Sequence, residues 1–559
     1  MNNSGLHPTK LAEAKVEIEP LKLPKNREAF GELMKLVGSC FGPKSRLKCI
    51  QISEESPAIV TSTSMRLFQY LPVSNPYLKL VIQAVKEHLK IFKDSGTFVT
   101  YVTLNMLTNF SNLPFPPQLI SSLFDAFSIS CLEYLKSETC HPKVQLDFDS
   151  LKQLMSVTQN IISSKPGCSL QDDERTHLAL QLVKSFLHTI PSPVVERPSQ
   201  PLHIGRLHFT SYEGGRVLDS VMYPGLLLSS KLCSLKSLKC RERLQVILFT
   251  VSLSWNKDDP FLPNHLEYCS TLELKSHLSS WFEMFGRKLI DKGIGMVACQ
   301  KIVNIHLKKY LEDHGVIVLE KLGLETAVAL KELCGRFFRL FILLTCKIFL
   351  NNQFFSSNIN LNAITDYHNA CFIFQIVCQQ AVNVLYQLLL KPVGLYGAGC
   401  TECHVASVLR KQVQKDLHIY TKRFGCSEAV VLSTGECFSS CLENSAVSLS
   451  KTSRLNLKTD SHFHHLWSET PGGDVANSCA CGQFTKTELE PCIWYSLRWG
   501  EMDFVYVKDE PCPVLKNSQL SVKPSVIIDG CASRLNAYHV AMETTSALLR
   551  TVLYIEDRN

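Results

Sequence analysis

Two changes in hydrophobic periodicity divide this chain of 559 residues and constrain its fold more than any other feature. Before about residue 190 the apolar residues recur at the three- and four-residue spacings of amphipathic helices. Residues 246–320 instead alternate short apolar runs with helical segments, and the helical spacing returns from residue 381. Helical ends around an α/β centre indicate a chain that leaves one domain, builds another and returns to the first. The length itself exceeds what one hydrophobic core supports.

Local signals support both parts of this pattern. Asn75 suits a helix N-cap and Pro76 the first helical position, ahead of an apolar stripe that continues to Phe92. In the centre, a strand at Gly295–Cys299, a helix at Asn304–His314 and a strand at Val316–Glu320 form a βαβ unit. Such a unit requires parallel strands, so the centre is predicted to be an α/β domain.

Charge and cysteine content restrict the environment and the partners. The chain has 58 Lys and Arg against 51 Asp and Glu, and no dense basic run with interleaved aromatic residues, so no nucleic-acid partner is expected. The N-terminal segment has no secretory signal pattern, so the 23 cysteines are expected to be reduced in a cytosolic protein. The apolar stretch Phe337–Leu350 is too short for a bilayer, and Arg339 and Lys347 interrupt it, so no membrane span is predicted.

Three motifs resemble known cofactor-binding patterns. Cys400, Cys403 and His404 match a haem-attachment pattern, but covalent haem requires an export route that the sequence does not show. A zinc site remains an alternative, although its ligands are far apart in sequence; they would be Cys400, Cys403, Cys479 and Cys481, with His462, His464 or His465. The glycines of residues 293–298 imitate a dinucleotide fingerprint, but a helix precedes them and a strand follows, which is the wrong order.

Three other glycine-bearing segments occur in a regular order. They are Gly42–Lys48 directly after a helix, Lys93–Thr97 between two helices, and Gly397–Glu402 before the C-terminal helices. Glycine lets backbone N–H groups approach phosphate oxygens, a helix N-terminus adds a favourable dipole, and an aspartate can hold Mg²⁺. Each segment alone also fits an ordinary turn. Only the occurrence of all three in this order along the chain indicates a phosphate site.

Together these segments resemble the phosphate loops of the group II chaperonins, and Ile528–Asp529 resembles that family's late acidic position beside the nucleoside. The resemblance implies a multidomain α+β fold with a mainly helical equatorial domain, a small intermediate domain and an α/β apical domain. It places a disordered tail at 1–25, the equatorial domain at 26–150 and 403–559, the intermediate domain at 151–203 and 366–402, and the apical domain at 204–365. Residues 335–375 resemble nothing in the family and are anomalous.

The resemblance also implies a site for ATP and Mg²⁺. Asp94 is its candidate Mg²⁺ ligand, and the candidate nucleotide-binding residues are Gly42, Pro43, Lys44, Lys48, Asp94, Ser95, Gly96, Thr97, Gly397, Gly399 and Asp529. Two carboxylates of the family are replaced, one by Thr63 and the hydrolytic aspartate by Gln380. No catalytic residue is therefore assigned, and weak or no ATP hydrolysis is expected. A fully ATP-driven chaperonin subunit that folds cytosolic clients is the alternative.

A narrower resemblance is to the chaperonin-like branch of the family associated with Bardet–Biedl syndrome. It rests on Leu135–Cys140, Cys299–Lys301, Gly399–Glu402 and Cys479–Gly482. This branch implies a role in folding and assembly of the ciliary coat complex of that syndrome. The implied partners are sister chaperonin-like proteins, cytosolic chaperonin subunits and coat-complex subunits, in the cytoplasm at the centrosome and ciliary basal body.

Overall fold

The chain forms two compact units, and both are discontinuous in sequence. The larger unit consists of residues 1–183, 216–220 and 361–559, and the smaller of residues 184–215 and 221–360. A chain that leaves one domain and returns to it was predicted, and the larger unit agrees with that prediction. The finer division into equatorial and intermediate parts stays a prediction. The computed structural model describes residues 15–42, 45–51, 58–140, 142–165, 170–190, 207, 209, 216–222, 244–254, 271–333, 342–346, 364–453, 467–469, 475–479 and 527–556.

Helices dominate the described part of the chain. They are α1 (Pro24–Gly38), α2 (Ser64–Tyr70), α3 (Pro76–Phe92), α4 (Gly96–Phe110), α5 (Pro117–Lys136), α6 (Leu151–Ser163), α7 (Asp172–Thr189), α8 (Thr271–Asp291), α9 (Ile305–Asp313), α10 (Gly323–Leu333), α11 (Ile364–Leu390), α12 (Cys400–Lys415), α13 (Leu417–Phe424), α14 (Glu428–Ser453) and α15 (Cys531–Leu549). The strands are β1 (Lys15–Ile18), β2 (Lys48–Ile50), β3 (Ile59–Thr61), β4 (Lys143–Gln145), β5 (Leu244–Phe249), β6 (Ile294–Cys299), β7 (Ile317–Leu319), β8 (Ile342–Cys346), β9 (Val393–Tyr396), β10 (Trp467–Glu469), β11 (Val475–Cys479), β12 (Ile528–Gly530) and β13 (Leu553–Glu556).

The larger unit has a helical core that joins the two ends of the chain. Helix α4 packs against α1, α14 and α15, and α15 also packs against α3 and α5. The centre of this core is aromatic: the rings of Phe110 and Phe124 meet edge to face at 4.9 Å, and Phe438 packs against both. The predicted start of α3 is confirmed, because the Asn75 side chain accepts hydrogen bonds from the backbone N–H groups of Tyr77 and Leu78.

A three-stranded antiparallel sheet, ordered β12–β9–β4, joins distant parts of the larger unit. Strand β9 lies in its centre, where Leu395 pairs with Asp529 on one side and with Lys143 on the other. A side chain at Gly394 would place its Cβ only 2.3 Å from Ile528 Cγ2, so the close pairing of β9 and β12 requires glycine there. The sheet fixes the end of β9 beside Asp529.

The N-terminal tail is shorter than expected. The sequence predicted disorder over residues 1–25, but residues 15–18 form β1, which pairs with β13 from Lys15↔Glu556 to Ile18↔Leu553. A 3₁₀ turn follows at Pro20–Lys22, and α1 begins at Pro24. The prediction is therefore wrong from residue 15 onward, and residues 1–14 lie outside the described part. The error arises because β1 is stabilised by a partner strand at the opposite end of the sequence.

The smaller unit contains the predicted βαβ unit. Its sheet is ordered β7–β6–β5–β8, and β5, β6 and β7 are parallel. Helices α8 and α9 pack closely, since a Cβ at Gly286 would lie 2.6 Å from Tyr310 Cδ1. The buried strand Ile294–Cys299 and the helix capped by Asn304 both match the sequence prediction.

The anomalous segment 335–375 contributes regular structure at two places. Strand β8 pairs antiparallel with β5, and α11 begins at residue 364 rather than at the predicted residue 381. The remaining residues, 334–341 and 347–363, lie outside the described part. Among the described residues, no helix is both long and apolar enough to cross a membrane. The described part of the apolar stretch Phe337–Leu350 is a strand of this sheet.

Candidate functional site

The first glycine segment closes a turn after α1. Gly42 has a φ of 71°, which lies in the left-handed region that favours glycine. The turn is closed by hydrogen bonds from the backbone N–H of Ser45 to the carbonyl of Gly42 and from that of Arg46 to the carbonyl of Ser39. Lys48, at the start of β2, donates to the Arg46 carbonyl at 2.9 Å. Pro43 and Lys44, two of the candidate nucleotide-binding residues, lie outside the described part.

The second segment links α3 to α4 without the glycines of the related family. Lys93 and Ser95 have φ values of 55° and 62°, in the region where a side chain costs about 1–2 kcal/mol. Glycine adopts such φ values without this cost, so both residues hold a glycine-type backbone conformation. Gly96 begins α4, and a Cβ there would lie 2.8 Å from Leu89 Cδ1. Asp94 and Thr97 are half-buried.

The third segment follows β9 and leads into α12. Ala398 and Gly399 both have positive φ, at 57° and 84°. A Cβ at Gly397 would lie 2.7 Å from Ile527 Cγ2 and 3.3 Å from Asp529 Oδ1. The loop therefore lies directly against the Asp529 carboxylate.

Asp529 lies in the region where the other candidate residues gather, and we refer to this partly accessible region as the cleft. Its side chain keeps 39% of its surface accessible, but burial within the surrounding protein raises its pKa to about 6. The positive charges of Arg534 and Lys165 oppose this increase in the pKa, and the negative charges of Glu402 and Asp94 add to it. The third segment therefore lies against Asp529, and the charges of Asp94 and Lys165 are close enough to act on its carboxylate.

The Gly42 segment borders the same region. Burial raises the pKa of the Cys40 thiol, and the charges of Lys48 and Lys165 both act against that shift. The charge of Lys165 is therefore close enough to act on both Cys40 and Asp529. Sequence reasoning noted Lys165 only as the end of a family helix and did not assign it to the site.

Three helix N-termini point towards this region. Helix α4 begins beside Ser95, α12 begins after Gly399, and α15 begins after Gly530. The Ser533 hydroxyl, in the first turn of α15, donates to the Ser95 hydroxyl at 3.4 Å. The first backbone N–H groups of a helix have no intrahelical acceptor and carry partial positive charge, so converging N-termini favour an anion such as phosphate.

A buried ion pair supports the wall of the cleft. Arg534 Nη2 lies 2.8 Å from Glu402 Oε1 and 3.7 Å from Asp529 Oδ2, and its guanidinium lies 3.6 Å above the centroid of Phe98. Tyr538 donates a second hydrogen bond to Glu402 Oε1 at 2.8 Å. Burial acts to lower the pKa of Arg534, but the negative charges of Glu402 and Asp529 outweigh it and raise that pKa, so Arg534 stays ionised. Sequence reasoning missed Arg534; the one available signal was an acidic residue directly after the Gly397 loop.

The residues that stand in place of the two carboxylates, Thr63 and Gln380, are buried and uncharged. Thr63 is 1% exposed, and its hydroxyl lies 3.0 Å from that of Thr61. Gln380 is 2% exposed, and its Oε1 has no hydrogen-bond partner among the described residues. Its helix, α11, contacts β3, and Asn383 one turn further on donates to the Phe92 carbonyl at 2.6 Å. Gln380 is therefore on a helix that borders both Thr61 and the Asp94 loop.

The donor set fits a nucleotide better than an isolated metal ion. Within the described residues there is no group of three or more His, Cys, Asp or Glu side chains that could hold a metal. Mg²⁺ prefers several oxygen ligands, so Asp94 would have to share the ion with the phosphates of a ligand. Of the alternative zinc ligands, Cys400 and Cys403 are buried cysteines on α12, and Cys481 lies outside the described part.

Glycine-bearing loops beside helix N-termini, in a helical unit interrupted in sequence by an α/β unit, are the arrangement of a chaperonin-type protein. The chain belongs to the TCP-1/cpn60 chaperonin family, whose profile matches residues 33–337. The match ends where the anomalous segment 335–375 begins.

Similarity to curated relatives extends over nearly the whole chain. It is 28% identical to the molecular chaperone MKKS of Homo sapiens over 570 residues, and 27% identical to that of Mus musculus over 583 residues. In both cases the alignment covers 97% of this chain and 98% of the relative. A probable T-complex protein 1 subunit theta of Schizosaccharomyces pombe is 20% identical over 302 residues, about half of each chain. The predicted chaperonin-like family, and its branch, are confirmed.

Proposed function

We propose that this chain is a molecular chaperone that assists folding and assembly of the ciliary Bardet–Biedl syndrome coat complex and binds a nucleotide with little or no hydrolysis. The chaperone role is supported by family membership and by similarity to molecular chaperones over 97% of the chain. One observation carries the nucleotide part: three glycine-type loops, three helix N-termini and Asp529 border one cleft, while Thr63 and Gln380 are neutral.

The chemistry of the cleft favours binding over turnover. Phosphoryl transfer requires a positioned nucleophile and neutralisation of charge, which the group II chaperonins provide through carboxylates and Mg²⁺. A glutamine side chain can hydrogen-bond to water but cannot accept its proton as a carboxylate does. Lys93 and Lys165 supply cations at the cleft, so phosphate groups can be held while the hydrolytic step lacks its base.

The proposed partners are sister chaperonin-like proteins, cytosolic chaperonin subunits and coat-complex subunits, in the cytoplasm at the centrosome and basal body. An exposed apolar face supports protein partners. It consists of the directly paired residues Val16 and Ile555, and Ile18 and Leu553, whose accessible fractions lie between 51% and 69%. Contiguous exposed apolar residues on a two-stranded sheet are typical of a surface that another protein covers.

The decisive experiment compares nucleotide binding, nucleotide turnover and complex assembly. Calorimetry with ADP and ATP should show binding to the purified chain, and phosphate release should stay near the background. In cells that lack the endogenous protein, Asp94→Ala at matched abundance should still support assembly of the coat complex. Asp291→Ala, at the exposed end of α8, is the matched control. If Asp94→Ala stops assembly while the protein remains folded, the ATP-driven alternative replaces this proposal.

A further inference from the structure

A buried histidine connects the Asp94 loop to the helical core. His88 lies on α3 with 2% of its surface exposed, and its ring stacks on Phe92 at a centroid distance of 5.1 Å. Its Nε2 lies 2.9 Å from the carbonyl oxygen of Asp94, and its Nδ1 lies 2.7 Å from Oδ1 of Asn536 on α15. One side chain thus joins the loop to two helices that border the cleft.

The hydrogen-bonding roles follow from the acceptors. A carbonyl oxygen only accepts, so His88 Nε2 carries a proton and donates to Asp94. Nδ1 faces Asn536 Oδ1 and donates to it in the protonated ring. In the neutral ring Nδ1 accepts instead, which requires the Asn536 amide to be turned so that its NH₂ group faces the ring. Both states hold the Asp94 carbonyl in the same place.

The Asp94 loop depends on such contacts because its conformation is costly without glycine. Lys93 and Ser95, on either side of Asp94, both lie in the left-handed region. Asn383 on α11 holds the carbonyl of Phe92 at 2.6 Å, and Ser533 on α15 contacts the Ser95 hydroxyl at 3.4 Å. His88 provides the contact to the residue between them. A backbone with unfavourable φ and ψ angles is retained only where several surrounding contacts fix it.

We propose that His88 is a positioning residue of the nucleotide cleft. By fixing the carbonyl of Asp94, it sets the direction of the Asp94 carboxylate and the start of α4, whose first N–H groups face the cleft. The expected effect of His88 on ligand affinity rests on the proposed nucleotide binding. Its effect on the Asp94 loop does not, because that effect is measurable in the ligand-free chain.

The test uses two substitutions at one position and a distant matched control. His88→Ala removes the hydrogen bond, and His88→Gln keeps a side-chain donor for the Asp94 carbonyl. His314→Ala is the control, because His314 also contacts a backbone carbonyl, that of Tyr310, and also packs against an aromatic ring, but lies in the smaller unit. Hydrogen exchange of residues 92–98 is measured without ligand, and the affinity for ADP is measured by calorimetry.

His88→Ala should increase exchange across residues 92–98 and weaken ADP binding, each by about tenfold, the effect of losing one buried hydrogen bond. His88→Gln should restore most of both values, and His314→Ala should change neither. Equal defects in His88→Gln and His88→Ala would show that only the packing of the ring matters, and would overturn the proposal. So would unchanged exchange in His88→Ala.

Two further outcomes separate this inference from the proposed function. If the wild-type chain binds no ADP, the proposed nucleotide binding fails, while the exchange data still decide whether His88 holds the loop. If His88→Ala does not fold, Asn536→Ala tests the same contact from the α15 side. Increased exchange at residues 92–98 in that variant supports the proposal, and unchanged exchange overturns it.

Discussion

Gly397 packs against Asp529 beside the β12–β9–β4 sheet, and a side chain at residue 397 would clash with Ile527 and crowd the Asp529 carboxylate. A Cβ at this position would lie 2.7 Å from Ile527 Cγ2 and 3.3 Å from Asp529 Oδ1. The contact joins a loop at the start of α12 to the strand that precedes α15. A cleft formed by both segments therefore depends on the absence of one methyl group.

The first prediction is that Gly397→Ala lowers both stability and nucleotide affinity. The added methyl group must displace β12 or the Asp529 side chain, and overpacking of this kind costs about 1–3 kcal/mol. Chemical denaturation measures the loss of stability, and ADP calorimetry measures the loss of affinity. Gly31→Ala is the control: a Cβ there meets no atom within 4 Å, so this helical substitution should stabilise α1. An unaltered ADP affinity in Gly397→Ala would place the ligand elsewhere.

The second prediction concerns the strained loop before α4. Lys93→Gly and Ser95→Gly should each raise the free energy of unfolding by about 1 kcal/mol, because glycine adopts positive φ without the cost that a side chain incurs. Lys90→Gly, within α3 where the backbone is helical, should instead destabilise the chain by about 1 kcal/mol. Urea denaturation of the three variants measures these differences. Destabilisation by Lys93→Gly would show that its side chain, rather than its backbone, matters for the fold.

Sequence reasoning succeeded where the cause is local. Asn75 and Pro76 start α3 through contacts within a few residues, and the βαβ unit follows from short-range periodicity. It failed for β1 and for the β12–β9–β4 sheet, because their strands are short and find their partners far along the chain. The same reason hid Arg534, whose charge gains a role only when folding places it between Glu402 and Asp529.

The candidate site was predictable through resemblance rather than through any single motif. The Asp94 loop has lost its glycines in sequence, yet Lys93 and Ser95 keep positive φ. A glycine search alone would therefore pass over this loop. The backbone conformation, which the sequence does not display, is what the two substitutions have preserved.

The third prediction is a pH dependence that originates from Asp529. Burial raises its pKa to about 6, so the folded chain binds this proton more tightly than the unfolded chain. The free energy of unfolding should therefore decrease as the pH rises from about 4 to about 6, and remain lower above that range. Because 39% of the side chain is accessible, solvent screening reduces the expected contribution to about 1 kcal/mol.

Asp529→Asn should remove this decrease and stabilise the chain at pH 7. Urea denaturation between pH 4 and pH 8 measures the effect. Asp149→Asn, at an exposed position in the same unit, is the control and should keep the wild-type profile. If Asp529→Asn also keeps that profile, the carboxylate titrates near its ordinary pKa, and the cleft is more open to water than its surroundings indicate.

The fourth prediction tests the apolar face on β1 and β13. Ile18→Lys together with Ile555→Lys should weaken association with partner chains at least about tenfold, because both side chains are more than 60% exposed and lysine removes their apolar area from an interface. The fold should be unaffected, since neither residue is in the core. Co-purification from cells and thermal stability measure the two effects. Ile91→Lys, 60% exposed on α3, is the matched control. Equal association in the double variant and the control would exclude this face as the interface.

The last prediction concerns the two lost carboxylates. Gln380→Asp alone should not restore ATP turnover, because Thr63 still provides no second carboxylate for Mg²⁺. It should also destabilise the chain by about 2 kcal/mol or more, since residue 380 is 2% exposed and an unpaired carboxylate there is costly to bury. Gln379→Asp, at the adjacent exposed position, should do neither. Phosphate release and thermal unfolding, each with and without Mg²⁺ and ATP, measure these effects.

Thr63→Asp combined with Gln380→Asp should behave differently from either single change. With Asp94 it offers three carboxylates to one region, so Mg²⁺ should raise the melting temperature of the double variant but leave that of the wild type unchanged. ATP turnover should rise above background only in this variant, because phosphoryl transfer needs both charge neutralisation and a base. A double variant that gains no stability from Mg²⁺ would mean that residues 63, 94 and 380 do not face one another, and the loss of hydrolysis would then need a cause other than the two missing carboxylates.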